Sequence, residues 1–94
     1  MKINAAIQLL PIKTDKDKYD LIDAAISLIQ QSGLKYEVCP FETAVEGEAD
    51  AVYELIHRIQ DTTLEAGCTE LLINVKIHAA ARDLALTEKT GKFR

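Results

Sequence analysis

Tyr36-Glu37-Val38-Cys39-Pro40-Phe41-Glu42-Thr43-Ala44-Val45-Glu46-Gly47 is the stretch on which the fold turns. Tyr36 and Val38 alternate with Glu37, the two-residue period of a half-buried strand. Pro40 removes a ladder donor, which places this strand at a sheet edge or ends it there. Thr43-Ala44-Val45-Glu46 reads as the returning strand of a hairpin that Gly47 closes. The acidic residues Glu46, Glu48 and Asp50 suit the positive N-terminus of a helix beginning just behind.

Outward from this hairpin, both flanks show the same grammar. Toward the N-terminus, Ile3, Ala5, Ile7 and Leu9 alternate with Asn4, Ala6, Gln8 and Leu10 in a strand ending near Pro11. Thr14-Asp15-Lys16-Asp17 has the form of a helix start with Thr14 as cap. Tyr19, Ile22, Ala25, Ile26 and Ile29 then recur at helical spacing, and Gly33 is a natural stop with Leu34 packing back. Toward the C-terminus, Val52, Leu55, Ile56, Ile59 and Thr63 mark a second helical stripe, ended by Gly67. The last strand covers Leu71 to His78, with Leu71, Ile73, Val75 and Ile77 on one side. Beyond it, Ala79 to Leu86 has helical composition, and Lys89 to Arg94 reads as a loose basic end.

Strand-helix-strand, given twice, restricts the topology. Right-handed crossovers put both helices on one face of a four-stranded antiparallel sheet with strand order four-one-three-two. This predicts an α+β, ferredoxin-like βαββαβ sandwich, one domain over 1–94 with its core in residues 3–78 and a tail over 79–94. Ile3, Ala5, Ile7, Leu9 and the odd-numbered residues of the last strand should face the helices. The other face should display Gln8, Asn74, Lys76 and His78 among Ala6, Leu10 and Leu72. Such a mixed surface fits either a solvated or subunit-facing sheet or a small-molecule site with polar groups on apolar ground.

Composition removes several function classes. A net charge of −4 argues against nucleic acid, which needs a basic face. No apolar run approaches the roughly 18 residues of a membrane-crossing helix, and no leader-like segment opens the chain, so the expected location is the cytoplasm. Cys39 and Cys68 lack metal-ligand spacing and read as reduced thiols. No phosphate loop, His-x-x-x-His pair or nucleophile elbow is present, so neither a catalytic residue nor a metal is expected. The loop Pro11-Ile12-Lys13-Thr14 lacks the Gly and Arg of an acylphosphatase, and the open face lacks the rings of an RNA-binding sheet. His57 falls off the second helical stripe and reads as a solvated side chain. Tyr36 fits packing or the wall of a heterocycle site.

Gly33-Leu34-Lys35-Tyr36-Glu37, Pro40 and Thr43-Ala44-Val45-Glu46-Gly47-Glu48 together resemble the signature of the small thiamine-binding protein family. Ala6-Ile7-Gln8-Leu9-Leu10-Pro11-Ile12 and Val75-Lys76-Ile77 are similar to that family as well. The resemblance covers about residues 3 to 78. It implies a ferredoxin-like protomer assembled into homodimers or homotetramers, and binding of thiamine or its hydroxymethylpyrimidine moiety without catalysis. One departure stands out. The family's Asp-x-Arg element after the last strand is met here by His78-Ala79-Ala80-Ala81-Arg82-Asp83, onto which Arg82 alone maps, so the tail is left out of the expected site.

The candidate ligand-binding residues are Gln8, Thr43, Glu46, Asn74 and Lys76. Gln8, Asn74 and Thr43 can pair with an aminopyrimidine, and Glu46 with the thiazolium charge; opposition to a helix dipole is the other reading of Glu46. Lys76 does not suit a cation and fits a phosphate, a hydroxyl or a salt bridge. The expected function is a carrier or sensor of thiamine or hydroxymethylpyrimidine. A protein-interaction module using the open sheet face is the alternative. The thiamine species would be a ligand, not a cofactor.

Overall fold

A computed structural model describes residues 1–94. Strands β1 (Lys2–Thr14), β2 (Lys35–Val38), β3 (Thr43–Glu48) and β4 (Cys68–His78) alternate with helices α1 (Lys18–Gln31) and α2 (Ala49–Glu65). The sheet is antiparallel, in the order β2-β3-β1-β4, the ferredoxin-like arrangement. As Pro40 required, β2 is an edge strand and ends two residues before the proline. No helix is long and apolar enough to cross a membrane.

The helices cover one sheet face, and the core lies between. Ile3, Ala5, Ile7, Leu9 and Val45 from the sheet meet Ala25 and Ile29 of α1 and Val52, Leu55 and Ile59 of α2. Burial of each Ile, Leu or Val among them is worth about 1.5–3 kcal/mol before entropy is counted, so this layer dominates stability. Helix α2 buries Val52, Leu55, Ile59 and Thr63 of the stripe its spacing predicts, with Ile56 only partly buried; Thr63 donates its hydroxyl to the Ile59 carbonyl at 2.7 Å. Gly33 and Gly67 follow the two helices with φ of +78° and +107°, the left-handed backbone that favours glycine.

Several boundaries differ from the sequence expectation. Strand β1 runs through Pro11 to Thr14. Strand β3 stops opposite Ile7, so beyond that point β1 has one neighbour only, where proline is tolerated; the register slips between Pro11 and Lys13. The cap of α1 is therefore Asp17, whose carboxylate accepts the Tyr19 N–H at 2.7 Å, while Thr14 accepts the Lys16 N–H in the preceding turn. Leu21, Ala25 and Ile29 form the buried face of α1, and Tyr19 is 66% exposed. Both sets of residues satisfy helical spacing, so periodicity could not choose between them.

Gly47 does not end β3 but lies inside it, opposite Ile3. A Cβ there would meet Leu34 Cδ2 at 2.6 Å, so the missing side chain is what lets Leu34 pack against the strand.

The tail departs most from expectation. Ala79 to Leu86 is not helical; a short helix α3 occupies Thr87–Thr90, followed by a 3-10 turn at Gly91–Phe93. The backbone instead bonds to the sheet, with the Leu84 N–H donating to the Lys2 carbonyl at 3.0 Å. That tertiary partner outweighs the helical propensity of three alanines.

Candidate functional site

The strand register decides what the open face carries. Asn4, Ala6, Gln8 and Leu10 of β1 stand opposite His78, Lys76, Asn74 and Leu72 of β4. On the other side, Asn4 and Ala6 stand opposite Glu46 and Ala44 of β3, which in turn oppose Lys35 and Glu37 of β2. Row by row, then, Glu37-Ala44-Ala6-Lys76 crosses all four strands. Two adjacent alanines sit at the centre of this row, between a carboxylate and an ammonium.

The C-terminal segment lies over the neighbouring row. Asn4, buried, donates its amide to the Leu84 carbonyl at 3.2 Å, and its Oδ1 accepts from Lys89 Nζ. Glu46 Oε1 accepts the Leu86 N–H at 2.7 Å, and Asp83 accepts the Lys2 N–H at 2.7 Å. Leu84 is only 1% exposed, an apolar peg among these polar ties. Farther along, Arg94 pairs with Glu37 at 2.8 Å. Within the segment, Glu88 takes the Arg82 guanidinium and the Ala85 N–H; the bond from Arg82 chiefly holds its carboxyl below the usual carboxylate range.

Between this segment and the alanines is a cavity of about 500 Å³, within the range of small-molecule sites. Ala6 and Ala44 line it from below, and Leu86, Lys89, Thr90 and Arg94 from above. Asn4, Glu37, Glu42, Lys76 and His78 supply the rest of its polar surroundings. Lys76 Nζ lies 3.6 Å from Glu42. The cavity is thus a slot with a small apolar base and charged walls, a shape suited to a planar ring with polar substituents.

The five candidate residues are distributed unevenly about this slot. Lys76 lines it. Gln8 and Asn74 lie one step farther along the same face, joined to each other by a 3.2 Å hydrogen bond. Glu46 is on the same face and holds the tail; its carboxylate bonds to the Leu86 N–H, not to an amide at the start of α2. Thr43 is not brought together with the others. It stands opposite Ile7 on the helix-covered face, buried, and lines a separate apolar cavity of about 270 Å³ with Ile22, Val38 and Phe41. Tyr36 shares that face through its pairing with Val45 and does not wall the slot.

His57 is exposed and lies 3.2 Å from Asp61, away from both cavities. His78 lines the slot. Strand parity already pointed Ala6 and Glu37 toward the open face. The roof had a single faint signal, the two-residue spacing of Leu84 and Leu86, overshadowed by the alanine run before it.

The protein is an α+β sandwich of ferredoxin-like topology whose open sheet face is roofed by its own C-terminal segment. Residues 5–94 match the family described as Thiamine-binding protein, and the chain belongs to that family. A UPF0045 protein of Clostridium perfringens is 34% identical over 91 residues, covering 97% of this chain and 96% of that protein. Among solved structures, a domain of unknown function (DUF77) from Bacillus cereus superposes with a TM-score of 0.93 at 34% identity, covering 99% of this chain and 90% of that one. A Thermotoga maritima protein proposed to act in thiamine biosynthesis or salvage superposes at 0.90 with 28% identity, each chain fully covered.

Proposed function

We propose that the protein binds thiamine or its hydroxymethylpyrimidine moiety, without catalysis, as a carrier or sensor in the cytoplasm. The observation carrying this reading is the slot of about 500 Å³ over Ala6 and Ala44, where polar groups converge on an apolar base. Family membership supplies the ligand class. An aminopyrimidine offers a ring nitrogen and an exocyclic amine to groups such as Glu42, Glu37 and the Asn4 amide, and a flat ring can lie on the two methyl groups. Lys76 acts at the wall, Gln8 and Asn74 extend the polar rim, and Glu46 acts by holding the roof. Thr43 contributes from the opposite face, by supporting the hairpin that carries Glu42.

Calorimetric titration with thiamine and hydroxymethylpyrimidine tests the reading, together with analysis of the ligand after incubation. Binding is expected in the wild type, with the ligand recovered unchanged. Ala44→Leu fills the slot from its base, so binding should be lost while the unfolding midpoint stays close to the wild type. A hundredfold excess of ligand over Kd should stabilise the wild type by about 2.7 kcal/mol and the variant hardly at all. Unaltered affinity in Ala44→Leu would remove the slot as the site.

Self-association belongs to the same proposal. Leu10 and Leu72, 36% and 47% exposed, leave an apolar end on the open face beyond Gln8 and Asn74. Closed assembly into a homodimer or homotetramer would cover it. Light scattering should report a multiple of 10.4 kDa, and a monomer at micromolar concentration would reject this part.

A further inference from the structure

The charges around the slot do not match a simple cation. Lys76, Lys89 and Arg94 line it against two carboxylates, Glu37 and Glu42, a surplus of one positive charge. The chain as a whole carries −4, so the slot is a positively biased spot on an acidic protein. Arg94 is paired with Glu37 at 2.8 Å, but the two lysines are incompletely neutralised. Lys76 is 3.6 Å from Glu42, with its side chain 82% exposed. Lys89 forms no ion pair; its ammonium donates to the neutral amide oxygen of Asn4 in a partly buried setting. Bare thiamine would bring a further fixed positive charge among these groups.

From this we infer that the slot is built for a phosphomonoester of the proposed ligand. The inference rests on the thiamine reading and specifies the form of ligand that the site takes. A phosphate adds about 1.5–2 negative charges at neutral pH and three strong acceptor oxygens. Lys89 and Arg94 reach it from the roof and Lys76 from the sheet. The ammonium groups act as point charges and the guanidinium as a two-pronged donor. The aminopyrimidine then lies on Ala6 and Ala44 with the Asn4 amide at its edge, which leaves Glu42 to offset the thiazolium charge as Lys76 turns to the phosphate. Both ends of a ligand with one cationic and one anionic terminus are thereby matched.

Titration of the full chain with thiamine, thiamine monophosphate and inorganic phosphate at pH 7.5 tests this. The monophosphate should bind at least about tenfold tighter than thiamine, the gain of one charge-assisted contact. That advantage should shrink below about threefold in Lys89→Gln and persist in Lys89→Arg, which keeps the charge; rising salt should erode it as well. Amide exchange at Leu84 and Leu86 in both variants reports whether the roof stays docked. Thiamine binding as tightly as its monophosphate would overturn the inference and leave the proposed function standing. Failure of thiamine, hydroxymethylpyrimidine and thiamine monophosphate to bind would overturn both. Inorganic phosphate binding as tightly as the monophosphate would also overturn it, because the ring would then contribute nothing.

Discussion

The two faces of the sheet are covered in different ways. On one, α1 and α2 bury a continuous apolar layer from Ile3 to Leu9 and across to Val45. On the other, a segment with one short helix is tied down by named polar contacts around Asn4 and Glu46, with Leu84 as its buried apolar anchor. Apolar burial is non-directional and accumulates with area, whereas each polar tie contributes about 0.5–1.5 kcal/mol net and depends on geometry. The helix face should therefore set global stability. The roofed face should open locally at lower cost.

The largest effect is expected on the helix face. Ile59 is 0% exposed, and Ile59→Ala should cost about 2–5 kcal/mol in urea unfolding, with the transition remaining cooperative. Leu84→Ala removes an equally buried side chain from the roof. Local opening of this segment is expected to absorb part of the loss, so the global cost should be smaller, about 1–2 kcal/mol. Amide exchange at Leu84 and Leu86 should quicken and ligand affinity fall. If Leu84→Ala matched Ile59→Ala in unfolding and left exchange unchanged, the two faces would form one cooperative layer and the contrast would fail.

Glu46→Gln perturbs the roof through a single tie. The amide retains an acceptor for the Leu86 N–H but loses the charge, so the unliganded protein should lose about 1 kcal/mol or less. Ligand affinity should drop only as far as the roof loosens. A drop of about 2–4 kcal/mol in binding with unchanged amide exchange at Leu86 would instead place the carboxylate against the ligand itself.

Glu88 supplies the smallest effect. Its carboxyl sits below the ordinary 4.5, chiefly through the hydrogen bond from Arg82. A depressed carboxyl pKa contributes stability that is complete above the unfolded value and is lost as pH falls through the folded one. The group is solvent-exposed, so the contribution is screened and slight. Proteolysis within residues 79–94 should become faster as pH drops below about 4.5, and Arg82→Gln should flatten that dependence. A segment equally protected at pH 3 and pH 6 in the wild type would remove the Arg82–Glu88 bond from the account of the roof.

Much of the open sheet face was within reach of strand parity. Gln8, Asn74, Lys76 and His78 were assigned to one face by alternation alone, and the register places them there. Parity failed at Thr43 because the turn through Phe41 and Glu42 obscured the phase of β3; the pairing with Ile7 puts it under the helices. Glu46 was recognised as a carboxylate of consequence, but its partner, the Leu86 amide, lies forty residues away in the chain.

Periods of two and 3.6 residues, the helix-ending glycines and Pro40 determined the element order, the edge position of β2 and the inward faces of β1 and α2. These are properties of a few adjacent residues and of their contact with water, so the sequence carries them directly. Tertiary structure decided the rest: that Ala6 and Ala44 lie side by side, that Lys76 reaches Glu42, and that the C-terminal segment becomes a roof. The bond from the Leu84 N–H to the Lys2 carbonyl joins the tail to the first strand. A backbone amide has no preference among distant acceptors until the sheet has brought them within reach, and here that competition displaced a helix that local propensity favoured.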